Sequence, residues 1–492
     1  MSRQTSAQAS WAGPLAPDQL TKLHNATLVV LEQTGLRVDC VDLHEPLERT
    51  GASVDRGTRV VKFPPSLVEA TLAYLRREIV SGRKQRLLNG VTNPRWTPPL
   101  GCKFGGACIE YCDPQTNAIR PPTEQDLIRL LQLGEALPAV GFVGNPVVCL
   151  TDAEGRKVSG AMQRIKTAAL VAKYTTKCGS TEVWNETELA FLVEIGEIVR
   201  GSREAYLAAP CFITAKETIA PLQFPAEDGH ILLMLARAGL PATIIPMPIT
   251  GGTCPCSAAA NLVMANAEIL GVLACLHAAV PEAIVGGGVI SGVMDMATGA
   301  ASFSAPEVLL QDAGLAQLYD TFYGQDLAIG TGYIDAKYPG AQASAEKALK
   351  MEMAARQGRY NFPVGLLAGG KRFSPVQALI DLELAEYIRR LTANLDISAE
   401  TLALSVIQEV GIGGEFLSHA HTLKKFRRNL WLPELWDRTM PTGLESERKK
   451  DMVAAAQEKL EAIWNRDDLY QIDEERSRAI DEVVNRAQRV LQ

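Results

Sequence analysis

Two groups of residues in this chain have types and spacings suited to chemistry. The first is Cys254-Pro255-Cys256 together with His419 and His421, two positions apart. Thiolates and imidazoles are the usual ligands of zinc, so C-x-C with a distant histidine is a possible metal set, although no other tight ligand cluster accompanies it. The second group mixes aromatic and acidic side chains. Tyr333 and Asp335 stand two apart, so on an extended chain their side chains face one space. Phe212, Phe373 and Glu217 repeat these types, while Lys337, Lys371, Arg372 and His421 carry or can carry positive charge. Aromatic faces and carboxylates hold organic cations, and arginine holds carboxylates in bidentate fashion. Each residue also has a plainer reading. Phe212 suits a core, Asp335 and Glu217 suit helix caps or ion pairs, Lys371 and Arg372 suit solvated surface, and His419 suits a structural role.

The elements that must position these groups recur along the chain. Eight short apolar runs, rich in β-branched or small residues, are each followed by a helical stretch. They are Val140-Gly144, Tyr174-Cys178, Tyr206-Ile213, Ala242-Met247, Ala283-Gly288, Leu327-Gly332, Phe362-Ala368 and Leu404-Val410. Successive centres lie about 30 to 45 residues apart, which suits a strand, a loop and a crossover helix. Eight such units predict an α/β fold, a (β/α)8 TIM barrel, with an open doubly wound sheet as the rival. Glycine closes or follows most of the eight runs, as in Gly286-Gly287-Gly288, Gly330-Thr331-Gly332 and Gly369-Gly370. Glycine lets a ligand approach the backbone, and barrel sites are built from the loops after the strands.

Three segments are expected: an N-terminal mixed α+β extension over 1–124, the barrel over 125–430 and a C-terminal helical tail over 431–492. In the extension, Thr21 to Thr34 and Pro65 to Arg77 have amphipathic helical spacing, and Ala52 to Phe63 alternates like a hairpin around Asp55-Arg56-Gly57. Asn89 to Gly101 reads as a loop, and Phe104 to Arg120 as a hairpin turning at Asp113-Pro114. Thr123 is placed to cap the helix that follows.

Composition narrows the function classes. The 492 residues carry 49 Lys plus Arg against 56 Asp plus Glu, a net charge of −7, so no basic surplus points to nucleic acid. Ten scattered cysteines do not resemble a secreted disulfide scaffold and suit buried thiols in a reducing cytoplasm. Met1 to Pro14 lacks the apolar core of a signal peptide. The longest apolar stretch, Ile269 to Ile290, contains His277, Pro281 and Glu282 and reads as helix, break and strand, so no membrane span is expected.

Over nearly its whole length the sequence resembles the trimethylamine methyltransferase family. The resemblance is carried by Pro246 to Thr253, Asn266 to Leu270, Asp295 to Gly299, Ala305-Pro306-Glu307 and Gly340 to Ala343. It continues through Val410 to Leu417, His421-Thr422-Leu423, Phe426-Arg427 and Asp437-Arg438, and includes Leu31 to Gly35 and Pro122 to Asp126. It implies a TIM barrel that moves a methyl group from a methylated amine to the cobalt of a corrinoid (cobalamin) carried by a separate protein, with no cofactor held tightly by this chain. Archaeal members carry pyrrolysine in a loop near the sixth strand, whereas Gly330 to Gln342 contains only standard residues. Members without pyrrolysine include glycine betaine methyltransferases, so a quaternary amine is the expected donor and glycine betaine the first candidate. Such a nitrogen already carries its charge and leaves without a proton, so the site must chiefly position the methyl and exclude water. The resemblance then suggests Tyr333, Asp335, Phe212, Glu217 and Phe373 for the ammonium, and Lys337, Lys371, Arg372 and His421 for a betaine carboxylate. Alternatives are a zinc-dependent methyltransferase, a barrel enzyme of another class such as a lyase, and a non-catalytic betaine-binding barrel. Self-association is expected of a large barrel of this kind.

Overall fold

Parallel strands run through the centre of the molecule. The computed structural model describes residues 13–81, 101–148, 151–152, 154–359, 362–440 and 451–491. Leu327–Ile329 pairs with Val285–Val289, which pairs with Ala242–Ile244, which pairs with Thr214–Lys216, all in parallel. Single parallel bridges continue the series from Ile213 to Ser180 and from Cys178 to Val143. Val140–Val143 then pairs with Cys102–Phe104, and that strand with Phe362–Pro363. Strands adjacent in space are thus adjacent in sequence, and the last returns beside the first. Helices fill the intervals, among them Glu124–Ala136, Gly160–Tyr174, Glu186–Arg200, Ala226–Arg237, Ala258–Ala279, Pro306–Gln317 and Ala341–Arg356, with Pro375–Leu391 after the last strand. The result is a mixed α/β body of repeated strand-helix units. Among the described residues no ladder joins Leu327–Ile329 to Phe362–Pro363. The buried Lys347 ammonium bridges that junction instead, donating to the carbonyls of Gly332 at 2.8 Å and Pro363 at 3.3 Å.

Three of the expected strands are corrected. The run Tyr174–Cys178 opens on the last residue of the helix Gly160–Tyr174 and joins the parallel series only through a single bridge at Cys178. Leu404–Val410 is a helix, not the eighth strand. Its apolar residues at 404, 407 and 410 have helical spacing, and a short apolar run does not separate the two periods. The start of Tyr206–Ile213 is also helical, within Arg203–Ala208. Ser202 caps that helix by accepting from the Ala205 amide, and the strand begins only at Thr214. The strand missing from the sequence reading is Cys102–Phe104, which lies ahead of residue 125 and beside the expected hairpin. That hairpin is present as Glu110–Cys112 against Ile119–Arg120. The loop expected at Asn89 to Gly101 lies, but for Gly101, outside the described residues.

Around the centre, the elements follow their sequence signals. Thr123 accepts from the Asp126 amide while the Asp126 carboxylate accepts from the Thr123 amide, a reciprocal cap on the following helix. Ser53–Asp55 and Val60–Lys62 form the expected hairpin, and Pro65–Ser81 the expected helix. Ala258–Ala279 is long and apolar enough to cross a membrane by length and composition, yet most of it is buried inside the body. Several of its polar groups find partners there. Glu268 accepts from the Leu222 amide at 2.8 Å, and Asn266 donates to Tyr323 at 2.7 Å. Helices Met452–Trp464 and Glu474–Leu491 pack back onto Pro375–Leu391 and onto Gly160–Tyr174 with Glu186–Arg200.

One segment departs from this pattern. From 395 to 433 no residue is buried, although the segment contains helices Leu404–Val410 and Ala420–Asn429. Eleven large hydrophobic side chains in it are exposed, including Leu395, Ile407, Ile412, Leu417 and Leu423. Isolated exposed apolar residues need no explanation, but so many within one segment mark a surface that something covers.

Candidate functional site

The inner face of the parallel strands is open to solvent. Lys103, Ala215, Thr243 and Ala328 each sit mid-strand and are partly exposed, while their neighbours on either side in the strand are buried. Strand residues alternate between faces, and the buried neighbours point outward. Phe104 packs on Phe373, with ring centroids 5.4 Å apart, and both Phe104 and Val143 lie against Gly134 of the helix Glu124–Ala136. The inner residues are small. Ala215 stands opposite Thr243, Thr243 opposite Gly286, and Gly288 opposite Ala328. Small side chains at paired positions leave a space where bulky ones would fill a barrel.

Charged and aromatic groups reach this space and its mouth. Lys103 projects from within its strand, its ammonium 5.8 Å from the ring centroid of Phe142. Burial pulls its pKa down to about 8. Glu217 lies one residue beyond Thr214–Lys216. Water reaches it from the open side, but the surrounding protein and then Asp228 lift its carboxyl to about 7, with Lys216 opposing and Glu182 adding to the rise. Its neighbour Lys216 is buried, with its ammonium 4.4 Å from the ring centroid of Trp184 and 3.8 Å from Asp228. Tyr333 lies beyond Leu327–Ile329, half-buried beside Gly370 and 6.1 Å from the Phe303 ring centroid. Burial raises its phenol pKa, and Cys108 and then Glu217 add to the rise.

The loop that carries Tyr333 is held from below by one helix. Lys347 and Lys350, three apart on Ala341–Arg356, donate to the carbonyls of Gly332 at 2.8 Å and Gly330 at 3.0 Å. Both are buried. Lys347 also faces Asp381 at 3.3 Å, and neither side chain has any exposed surface. Burial pulls the lysine down and pushes the acid up, and their mutual attraction opposes both shifts. Glu346 on the same helix accepts from the amides of Asp335 at 2.8 Å and Ala336 at 3.1 Å. Asp335 in turn accepts from the Phe303 amide at 2.7 Å and from the Ser302 hydroxyl. Both its oxygens are therefore engaged in tying the 301–305 loop to the 330–336 loop.

No group of three or more His, Cys, Asp or Glu residues is arranged to hold a metal ion among the described residues. Cys254 is buried with its thiol pushed up to about 11, chiefly by burial, whereas Cys256 is exposed. Zinc binding needs thiolates, and burial favours the protonated thiol at Cys254. Every described cysteine is free, and all but Cys256 are buried.

This frame of parallel strands, with a small-residue interior and polar strand ends, extends over most of the chain, and so does the match to known proteins. The sequence matches the trimethylamine methyltransferase (MTTB) family over residues 2–491. The chain belongs to that family. It is 28% identical to the trimethylamine methyltransferase MttB of Desulfitobacterium hafniense, over 91% of this chain and 88% of the relative. It is 26% identical to trimethylamine methyltransferase MttB of Methanosarcina barkeri, over 96% and 95%. It is 27% identical to the glycine betaine methyltransferase of D. hafniense, over 86% and 87%. Among solved structures, the M. barkeri monomethylamine methyltransferase MtmB aligns with a TM-score of 0.50 at 10% identity, over 97% of this chain and 88% of that one. At that identity the likeness concerns the fold. The chain is thus a methyltransferase.

In this methyltransferase the residues singled out from sequence fall into distinct places. Tyr333 and Glu217 both lie just beyond strand ends. Asp335 shares the loop of Tyr333 but serves as its tie. Phe212 precedes the strand that begins at Thr214, so it lies at the opposite end from Glu217 and is buried in the core. Phe373 is wholly buried against Phe104. Arg372 makes two hydrogen bonds to one Glu110 oxygen, at 3.0 and 2.8 Å, and donates to the Lys337 carbonyl. Lys337 donates to the Asp335 carbonyl, and Lys371 is exposed. His421 follows a helix, not a strand, and its amide donates to His419 at 3.0 Å. Lys103, Lys347 and Lys350 were missed. At Lys103 and Lys350 the one sequence signal was a lysine between apolar neighbours, as in Cys102-Lys103-Phe104, whereas Lys347 follows Glu346 and carried none.

Proposed function

We propose that the eight parallel strands close into a (β/α)8 barrel and that this methyltransferase moves a methyl group from a quaternary amine, glycine betaine first, to a corrinoid protein. The observation that carries the reading is that Glu217, an acid open to solvent, and the half-buried ring of Tyr333 both follow the ends of parallel strands of the same sheet. A quaternary ammonium has no N–H to donate and needs what these two supply, an aromatic face and a negative charge. Asp335, with both oxygens already engaged, holds the loop instead. The likeness to a glycine betaine methyltransferase supports the substrate class, as does the standard residue content of Gly330 to Gln342.

The residues of this chain bind, orient and exclude water. The partner's reduced corrinoid supplies the nucleophile. The donor's C–N bond breaks, the electron pair stays on nitrogen, and a neutral tertiary amine leaves without taking a proton. No general acid is required, so the rate gain comes from alignment and from a dry contact around the methyl. Methyl transfer from a panel of amines to a reduced corrinoid protein tests the reading.

We also propose that residues 395–433 seat against a second copy of this chain. Eleven exposed large hydrophobics are too apolar a face for an acceptor protein that must come and go, since permanent interfaces are the more hydrophobic class. A standard interface engages roughly 20–30 residues a side, which this segment alone can supply. Charge agrees: Ala420–Asn429 carries Lys424, Lys425, Arg427 and Arg428 and no acid, whereas the whole chain is at −7. Light scattering after size exclusion should give a multiple of 53.2 kDa, and Leu417→Asp with Ile412→Asp should shift it toward a monomer. A monomeric wild type whose segment is shielded only by added corrinoid protein would assign the surface to that partner instead.

A further inference from the structure

We propose that Lys103 binds the carboxylate of a zwitterionic quaternary amine, with the ammonium end at Tyr333 and Glu217. The assignment rests on the quaternary-amine reading above and adds to it the feature that selects a betaine from other quaternary amines.

Lys103 faces the inner side of the parallel strands. Cys102 and Phe104 are buried on the outer face, and alternation sends Lys103 to the inner one. There the paired positions are small, at Ala215, Thr243, Gly286 and Ala328, so the ammonium enters a space that protein side chains leave open. Among the described residues the ammonium has no hydrogen bond and no ion pair, and it lies 5.8 Å from the centroid of the Phe142 ring. A cation held in a confined interior without a countercharge is costly, and a site of this kind recruits an anion. A bound carboxylate supplies one.

The sign and depth of the charges then match one class of ligand. Lys103 arises within its strand, whereas Glu217 and Tyr333 lie beyond the ends of theirs. A positive wall inside and a negative mouth outside fit a molecule with a carboxylate at one end and an ammonium at the other. In that orientation the methyl groups face the mouth, the side from which a macromolecular acceptor can approach.

Calorimetric titration of the full-length protein with glycine betaine and with tetramethylammonium tests this. Lys103→Met should lower the ratio of betaine to tetramethylammonium affinity by about 10-fold or more, the worth of a charge-assisted hydrogen bond. Lys103→Arg should keep part of that ratio. An unchanged ratio in a folded Lys103→Met protein would overturn the assignment. The wild type alone gives a second test that does not depend on a variant folding: it should prefer glycine betaine to ethyltrimethylammonium, which has a similar tail without the carboxylate, and equal affinities would also overturn it. If neither quaternary amine binds, the quaternary-amine reading itself fails, and the assignment with it. If both bind with equal affinity, only the role of Lys103 fails.

Discussion

Replacing Lys347 by Met should destabilise the protein by about 3–5 kcal/mol, the usual cost of removing one partner from a buried ion pair. Lys347 and Asp381 are 3.3 Å apart with no exposed surface, so the variant would leave a carboxylate in the core. It would also strip a donor from the carbonyls of Gly332 and Pro363, at the junction where no strand ladder joins the two chains among the described residues. Asp381 would keep the Gly365 amide and Gln377, both within 2.8 Å, and can take up a proton, which sets a limit on the loss. The double variant Lys347→Met with Asp381→Asn should recover part of the stability, because no charge then remains buried. Urea unfolding followed by circular dichroism reads both effects. A loss below about 1 kcal/mol in the single variant would mean that the pair does not hold the loop of Tyr333 as described.

Glu217 should make cation binding depend on pH. Its carboxyl titrates at about 7, so the negative charge forms as pH rises from 6 to 8. Affinity for tetramethylammonium should tighten across that window by on the order of 1 kcal/mol, about fivefold, as fits a partly solvated pair. Tetramethylammonium is the better probe because it lacks the carboxylate assigned to Lys103. The stability of the free protein should move the other way. An acid whose folded pKa is raised contributes stability that is fully present below its unfolded value, near 4.5, and is lost as pH rises through about 7. Opposite trends in affinity and stability separate this effect from general unfolding. Glu217→Gln should flatten the affinity profile and weaken binding at pH 8. A profile that stays sloped in that variant would move the countercharge elsewhere, with Asp228 and Glu182 the nearest groups to test.

Much of the frame was legible because period and punctuation agreed. Ala242–Ile244, Val285–Val289 and Leu327–Ile329 are apolar runs ended by proline or glycine, and all are parallel strands. Leu404–Val410 misled because a short apolar run satisfies both periods, and what decides it here is a neighbourhood that buries none of its residues. Cys102–Phe104 was hidden for the opposite reason. A lysine in its centre broke the apolar run, and the physical reason for that lysine is the open space it faces. The site was less legible than the fold. Tyr333 and Glu217 could be picked out because scarce aromatics and acids at strand ends stand out. Asp335 looked equivalent to Glu217, but hydrogen bonds from Ser302 and Phe303, more than 30 residues away in sequence, consume its oxygens. Phe212 and Phe373 are core residues because the strand boundaries fall elsewhere than the apolar runs suggest.

The most direct test of the account is methyl transfer with purified protein, a reduced corrinoid protein and a panel of amines. Methylation of the corrinoid changes its absorption spectrum and can be followed against time. The expected result is rapid methylation with glycine betaine, release of one equivalent of dimethylglycine, and little or no transfer from trimethylamine. Transfer from trimethylamine at a rate comparable with glycine betaine, or no transfer from any quaternary amine, would contradict it.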